Sequence, residues 1–355
     1  SITSSNGSLI QAANITAGDG LVSDGGTIKT TSGDIIAESG AIAATQVGTI
    51  EAVGDITAED GNITADNGTI YTTGKISAEK GNLIASNGSE LTAGKGLTAL
   101  GMDISASTVV GNVTLTGNGE SFIKDASRVE GSITLSGGNI TVSGTEDGTK
   151  DAEVTGSITG ATNATLTNAT VGNLTASGVV SLTNADTGWI KDAASVSMAD
   201  ASTVTGDITM AETNTGVTMD HSTLQGSIIG AVGATLENAS LVTGNLDLAG
   251  GAATIKASTV HGTITGADTV TVSAGSTVGN ISEVSGKVDI VDSTTGNIAT
   301  SGDVELTNAH SGTISGTDVS LSGGSSSGAI TATGTVGVDG STVEGTISGT
   351  DVTVT

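Results

Sequence analysis

Few side chains in this sequence are of a type that could do chemistry, and their number and spacing limit what that chemistry could be. There are three histidines, His221, His261 and His310, each at or beside the start of a repeated motif. His261 fills the variable position of a Ser-Thr-Val-x-Gly piece, which makes it a solvent-facing filler rather than a general base. Sugar hydrolysis on paired carboxylates is often assisted by Arg, Lys or Ca²⁺, and Arg128 is the single arginine. Adjacent acids at Glu59-Asp60 and Glu146-Asp147 could gather Ca²⁺ weakly, although neither pair lies in an EF-hand loop or a Gly-rich calcium repeat. Tyr71, Phe122 and Trp189 are too scattered for a carbohydrate-stacking platform. Asn-x-Ser/Thr sequons, among them Asn62, Asn87, Asn112 and Asn280, are what so much Asn, Ser and Thr produces by chance. No catalytic, cofactor-binding or metal-ligating residue is therefore assigned, and neither an enzyme nor a cofactor is expected.

The elements that carry these residues repeat. From Gly48 the chain reads GTIEAVGDITAEDGNITADN, from Gly68 GTIYTTGKISAEKGNLIASN, and from Gly88 GSELTAGKGLTALGMDISAS. Gly48, Gly68 and Gly88 form one column, Gly54, Gly74 and Gly94 a second, and Gly61, Gly81 and Gly101 a third. A unit of about 20 residues in three pieces is the mark of a solenoid. Apolar residues fall at Ile15, Val22, Ile28, Ile35, Ile42, Ile50, Ile56, Ile63, Ile70, Ile76, Leu83, Leu91, Leu97 and Ile104. These gaps are too long for one strand and do not keep a helical period, so each is a separate strand on a separate face. Within Ile56-Thr57-Ala58, Ile and Ala point one way and Thr the other. In the third unit Glu90 takes the nominal apolar slot, and a one-residue corner insertion near Ser89 is predicted to keep it outside.

Three stretches follow. Residues 1–110 are a regular β-solenoid with 20-residue rungs. Residues 111–201 are a β-solenoid with looser rungs, in which 144–152 and 185–201 are expected to protrude as loops or enlarged corners. Phe122 and Trp189, in the similar pieces SFIKDA and GWIKDA, are expected at equivalent positions, plugging a widened bore. Residues 202–355 carry shorter rungs of 16–20 residues, begun by pieces such as STVTGDIT, STLQGSII and STVHGTIT. The whole is expected to be one continuous rod of about nineteen rungs, roughly 90 Å long at ~4.8 Å per rung. Stacking should place Asn62 over Asn82 as an amide ladder and Asp55 beside Lys75.

Composition agrees with a solenoid. Fifty-five glycines, no proline, no cysteine and one each of Trp, Tyr and Phe leave aliphatic residues to fill a narrow core. Disorder would be poor in β-branched residues, and this chain is rich in Val, Ile and Thr. A formal charge of −27 disfavours nucleic acid and anionic membrane surfaces as partners. No run reaches the length of a membrane span. The start shows neither a signal peptide nor an initiating Met, and both termini fall within strand-like patterns, so the chain reads as a processed or excised piece.

The Gly-x-Ile-x-Ala pieces from Gly26 to Ala106 resemble the passenger repeats of filamentous-haemagglutinin-like exoproteins and autotransporter adhesins. The likeness is one of repeat style and brings no site residue. It departs in lacking an N-terminal secretion-signal domain and a C-terminal β-barrel. It implies an all-β, single-chain parallel β-helix (β-solenoid), right-handed and three-sided, exported to the bacterial cell surface or beyond as a stalk, adhesive surface or fibre. The function expected is that of a non-catalytic structural protein, a fibre subunit or adhesin shaft that associates end to end through open strand ends or continues in a longer chain. A glycan-binding or glycan-cleaving β-helix, contacting host or cell-surface glycans, is the alternative. Ice binding through Thr columns such as the run at 269–272 is more remote.

Overall fold

The computed structural model describes every residue from Ser1 to Thr355 and contains no helix. The chain divides into two compact units, one of Ser1–Gly178 with Asn184–Thr187, the other of Val179–Thr183 with Gly188–Thr355. Each unit is a parallel β-solenoid whose turns contribute three short strands.

In the first unit one turn runs through Ile42–Thr45, Thr49–Ala52 and Ile56–Ala58. These belong to what we call the first, second and third faces. Ile63 lies in register between Ile42 and Leu83 on the first face, Ile70 between Ile50 and Leu91 on the second, and Ile76 between Ile56 and Leu97 on the third. The alternation inferred from Ile-Thr-Ala holds: Ile56 and Ala58 are fully buried and Thr57 lies outside. Leu91 takes the inward slot above Ile70 while Glu90 pairs with Thr69 and is exposed, so the extra residue is absorbed at the corner as predicted. At one position the inward residue differs from the expected one. Leu21, not Val22, is buried, because the strand must also turn Ser23 inward at the corner that follows.

In the second unit the first face holds Ser195–Ala199, Gly216–Asp220 and Ala234–Glu237, and the third holds Ile190–Ala193, Ile208–Met210 and Ile228–Ala231. Second-face strands shrink to Thr203–Val204, Thr223–Leu224 and Leu241–Val242. With only one inward residue each, they still extend a buried column, Val204, Leu224, Val242, Val260 and Val278. Shorter second-face strands let the rung contract, to 18 residues near Ser240 and 16 near Asn297.

Two expectations about the middle of the chain are corrected. Residues 144–151 do form a strand-free loop, but 185–201 does not protrude: it supplies Asp186–Thr187, Ile190–Ala193 and Ser195–Ala199, with Ile190, Ala193, Val196 and Met198 turned into the core. Its polar residues misled because Ser195 and Ser197 are the outward half of an alternation, and Lys191 and Asp192 are the exposed side of a bulge between the inward Ile190 and Ala193. Nor do the two aromatics plug a bore. Phe122 points outward from a first-face strand and Trp189 stands at a corner before a third-face strand, so they are not equivalent.

Burial of the Ile, Leu and Val columns dominates the energetics, at about 1.5–3 kcal/mol for each large side chain. Exposed ion pairs such as Lys29–Glu51 at 2.7 Å add below ~1 kcal/mol each.

Candidate functional site

The side chains that recur with the rung are the natural place to look for function, and three columns of them are polar. One runs along the corner between the first and second faces. There the chain passes through a left-handed residue, for example His221 (φ 48°) or Asp292 (φ 49°), a conformation Asn and Asp tolerate better than most residues. A serine follows, Ser222 and Ser293 in these two, and points inward. The N–H of Ser222 donates to Ser240 Oγ at 3.3 Å, that of Ser240 to Ser258 Oγ at 3.2 Å, that of Ser258 to Ser276 Oγ at 3.1 Å, and that of Ser276 to Ser293 Oγ at 3.2 Å. Each hydroxyl also donates within its own turn, Ser240 Oγ to the Glu237 carbonyl at 2.7 Å and Ser258 Oγ to that of Lys256 at 2.9 Å. The first unit repeats this through Ser89, Ser107 and Ser127. These hydroxyls stand in for backbone acceptors at the corner, and no buried side-chain nitrogen or oxygen is left unpaired.

Replacing Ser240 by alanine is therefore expected to cost about 1–3 kcal/mol, the penalty for stranding the buried Ser222 N–H. Chemical denaturation of the variant measures it. The sequence carried this signal in the Ser of each Ser-Thr-Val piece, which reads as the start of a strand when only its β-branched neighbours are weighed.

A second column lies between the second and third faces. Asn14 Oδ1 accepts the Asp34 N–H at 3.1 Å, Asp34 Oδ1 that of Asp55 at 2.7 Å, and Asp55 Oδ1 that of Lys75 at 2.8 Å. In the second unit Asp207, Ser227, Asn245 and then Thr263 continue in the same manner. Asp55 thus sits beside Lys75 as expected, but binds its main chain. Asn62 over Asn82 follows suit at the third-to-first corner: Asn62 Oδ1 accepts the Asn82 N–H at 2.9 Å, so the ladder expected between side-chain amides runs from side chain to backbone. Amide-to-amide bonds occur elsewhere, from Asn163 to Asn139 at 2.9 Å and from Asn184 to Asn168 at 2.8 Å.

The third column is on the outside. Ser181, Ser197, Thr218, Thr235, Thr254 and Thr271 stand in register on the first face of the second unit, and Asp289 ends the run.

The singular chemical residues are dispersed. His221 Nδ1 lies 2.8 Å from Asp220 Oδ1, and the Asn238 amide, followed by that imidazole, holds the Asp220 carboxyl below its usual range. His261 is exposed at its corner, and His310 Nδ1 is 2.7 Å from Ser326 Oγ on the second face. Arg128 is clamped by Glu130 and Glu153. Of the acidic pairs, Asp60 is taken by Lys80 at 2.5 Å, a bond that also raises the lysine pKa. The aromatics each carry a lysine, Lys124 at 5.0 Å from the Phe122 ring centre and Lys191 at 4.5 Å from that of Trp189. A cleft of about 470 Å³ is lined by Lys287, Asp303, Glu305 and Asp318, with Lys287 bound to Glu305 at 2.5 Å. No group of three or more His, Asp or Glu side chains is arranged to hold a metal ion.

The second acidic pair belongs to the 144–151 loop. Asp147 Oδ1 accepts from the Thr149 N–H and hydroxyl and from the Thr145 hydroxyl, while Asp151 accepts from the Thr145 N–H and hydroxyl. Asn168 and Asn184 donate to loop carbonyls at 2.8 Å each, and Lys150 pairs with Asp186 at 2.6 Å. Hydrogen bonds from Thr149 chiefly hold Asp147 below the usual carboxylate value. For Asp151, burial pushes upward, but the Thr145 bonds outweigh it and the net direction is again down. Lowered carboxyl pKa values stabilise the loop above the ordinary value of 3.8, and that contribution is lost as pH falls through the lower folded values. The Thr145 and Thr149 amide resonances should accordingly hold their positions on acidification to about pH 4 and move only below it.

Comparison with family models, with curated proteins and with solved structures finds no match.

Proposed function

We propose that this is a non-catalytic structural protein of the bacterial exterior, a β-solenoid fibre subunit or adhesin shaft in the repeat style of filamentous-haemagglutinin-like and autotransporter passengers. The observation that carries the reading is the serine column. The polar groups that recur most faithfully, those of Ser222, Ser240, Ser258 and Ser276, face inward and bind the next rung rather than a ligand. A repeat whose recurring polar atoms are engaged in stacking is suited to making length and surface. Its partner would be a further rung, from a second copy or from continuation in a longer chain, extending the columns Val336–Val352 and Val338–Val354. The surplus of carboxylates suits a solvated exterior surface and argues against polyanionic partners. Negative-stain microscopy of the purified chain at high concentration tests the fibre version: end-to-end filaments are expected, and monodisperse particles would count against it.

A second reading, ice binding, is favoured by one observation, the six-rung outward hydroxyl column from Ser181 to Thr271. It predicts thermal hysteresis that disappears in a Thr218→Lys, Thr235→Lys double variant.

A further inference from the structure

Asparagine followed by glycine is prone to lose its side-chain amide, because a glycine N–H unshielded by a Cβ can attack the asparagine Cγ. The chain contains four such pairs, Asn6-Gly7, Asn67-Gly68, Asn87-Gly88 and Asn118-Gly119. Three of them are corner devices of the stack. Asn6, Asn67 and Asn87 are fixed in the left-handed conformation. The attacking N–H is committed in each: that of Gly7 to the Gly25 carbonyl at 2.7 Å, that of Gly68 to Ser89 Oγ at 3.2 Å, and that of Gly88 to the Ala106 carbonyl at 2.8 Å. Cyclisation there requires the corner to open first.

Asn118-Gly119 differs on every count. It lies at the turn from the third to the first face, between the strands Val113–Leu115 and Glu120–Lys124. Both residues are exposed, neither has a left-handed backbone, and the Gly119 N–H is donated to no group in the chain. The space where a Gly119 Cβ would stand is open, so the turn has room to reach the attacking geometry.

We propose that Asn118 is the preferred site of spontaneous deamidation in this protein. Gly119 N, losing its proton, bonds to Asn118 Cγ, and the side-chain nitrogen leaves as ammonia to give a cyclic imide. Water then opens the imide at either carbonyl, leaving aspartate or its β-linked isomer in place of Asn118, with one ammonia released and one water consumed overall. The product adds a negative charge beside Glu120. The β-linked form also inserts a main-chain carbon into a turn on which the next rung rests, since the Asn139 N–H donates to the Gly119 carbonyl at 3.1 Å.

The test is peptide mapping by mass spectrometry of the full chain held folded in mildly alkaline buffer. Breaking a hydrogen bond of net worth ~1–1.5 kcal/mol before attack slows a site roughly five- to tenfold, so Asn118 should convert at least that much faster than Asn6, Asn67 and Asn87. In concentrated urea the four rates should converge. Gly119→Ala, which the open space accommodates, should suppress conversion at Asn118, and Ser89→Ala, which frees the Gly68 N–H, should speed conversion at Asn67. Equal rates in the folded chain, or an unchanged Asn67 rate in folded Ser89→Ala protein, would overturn the proposal.

Discussion

Replacing Ile56 by alanine is expected to lower the stability of the first unit by about 2–5 kcal/mol. Ile56 is fully buried on the third face, in register with Ile35 below and Ile76 above. Removing its branched chain takes contacts from both neighbours in a core one side chain wide. A narrow solenoid core has little freedom to collapse into the gap, because each turn is pinned by strand pairing to the next, so the upper part of the range applies. Nearest-neighbour coupling should spread the effect along the column, softening Ile35 and Ile76 before more distant turns. Thr57→Ala, one residue on and outward, should stay within about 0.5 kcal/mol. The urea midpoint of unfolding separates the two variants.

The next largest effect is predicted at Gly302. A Cβ built there would overlap the Gly286 carbonyl and main chain one turn earlier, so Gly302→Ala forces adjacent turns apart and should cost about 1–3 kcal/mol. Gly337 is the matched control. It lies within the strand Thr335–Val338 with ordinary φ and open space where a Cβ would go, so Gly337→Ala should stabilise by roughly 0.5–1 kcal/mol. Opposite signs from one substitution would show that the glycine columns are set by the closeness of successive turns. Melting temperatures of the two variants suffice to read the difference.

The inward columns were legible because Ile, Leu and Val have only one place to go in a chain this polar. Ile50, Ile70 and Leu91 fall where the repeat puts them, and the shift at Glu90 follows from the same rule. Val22 was misplaced where two apolar residues adjoin, since alternation alone does not say which of Leu21 and Val22 turns inward. The partner that decides it, buried Ser23, looks like a surface residue in sequence. The same blindness hid the serine column. A hydroxyl that accepts one N–H and donates to one carbonyl is fully satisfied inside, yet by composition it counts as polar and outward. Between 185 and 201 the error ran the other way: Lys191, Asp192 and Asp200 suggested a loop, while the small residues Ala185 and Ala193 filled inward positions usually held by larger ones. The likeness of SFIKDA to GWIKDA does not extend to position, since Phe122 and Trp189 each lie against the chain's outer side beneath a lysine, one on a strand and the other at a corner. Where Asn62 meets Asn82, like-over-like stacking was right in register and wrong in partner, because the backbone N–H of the next turn is the nearer donor that must be satisfied.

The recurring polar side chains are the fastening of the stack. Residue-resolved hydrogen exchange of the native chain addresses this directly. The N–H groups of Ser222, Ser258 and Ser276, which donate only to serine hydroxyls, are predicted to exchange as slowly as those of the buried strand residues Leu236 and Ile255. Exchange at those serines as fast as at the unpaired Gly119 would contradict it.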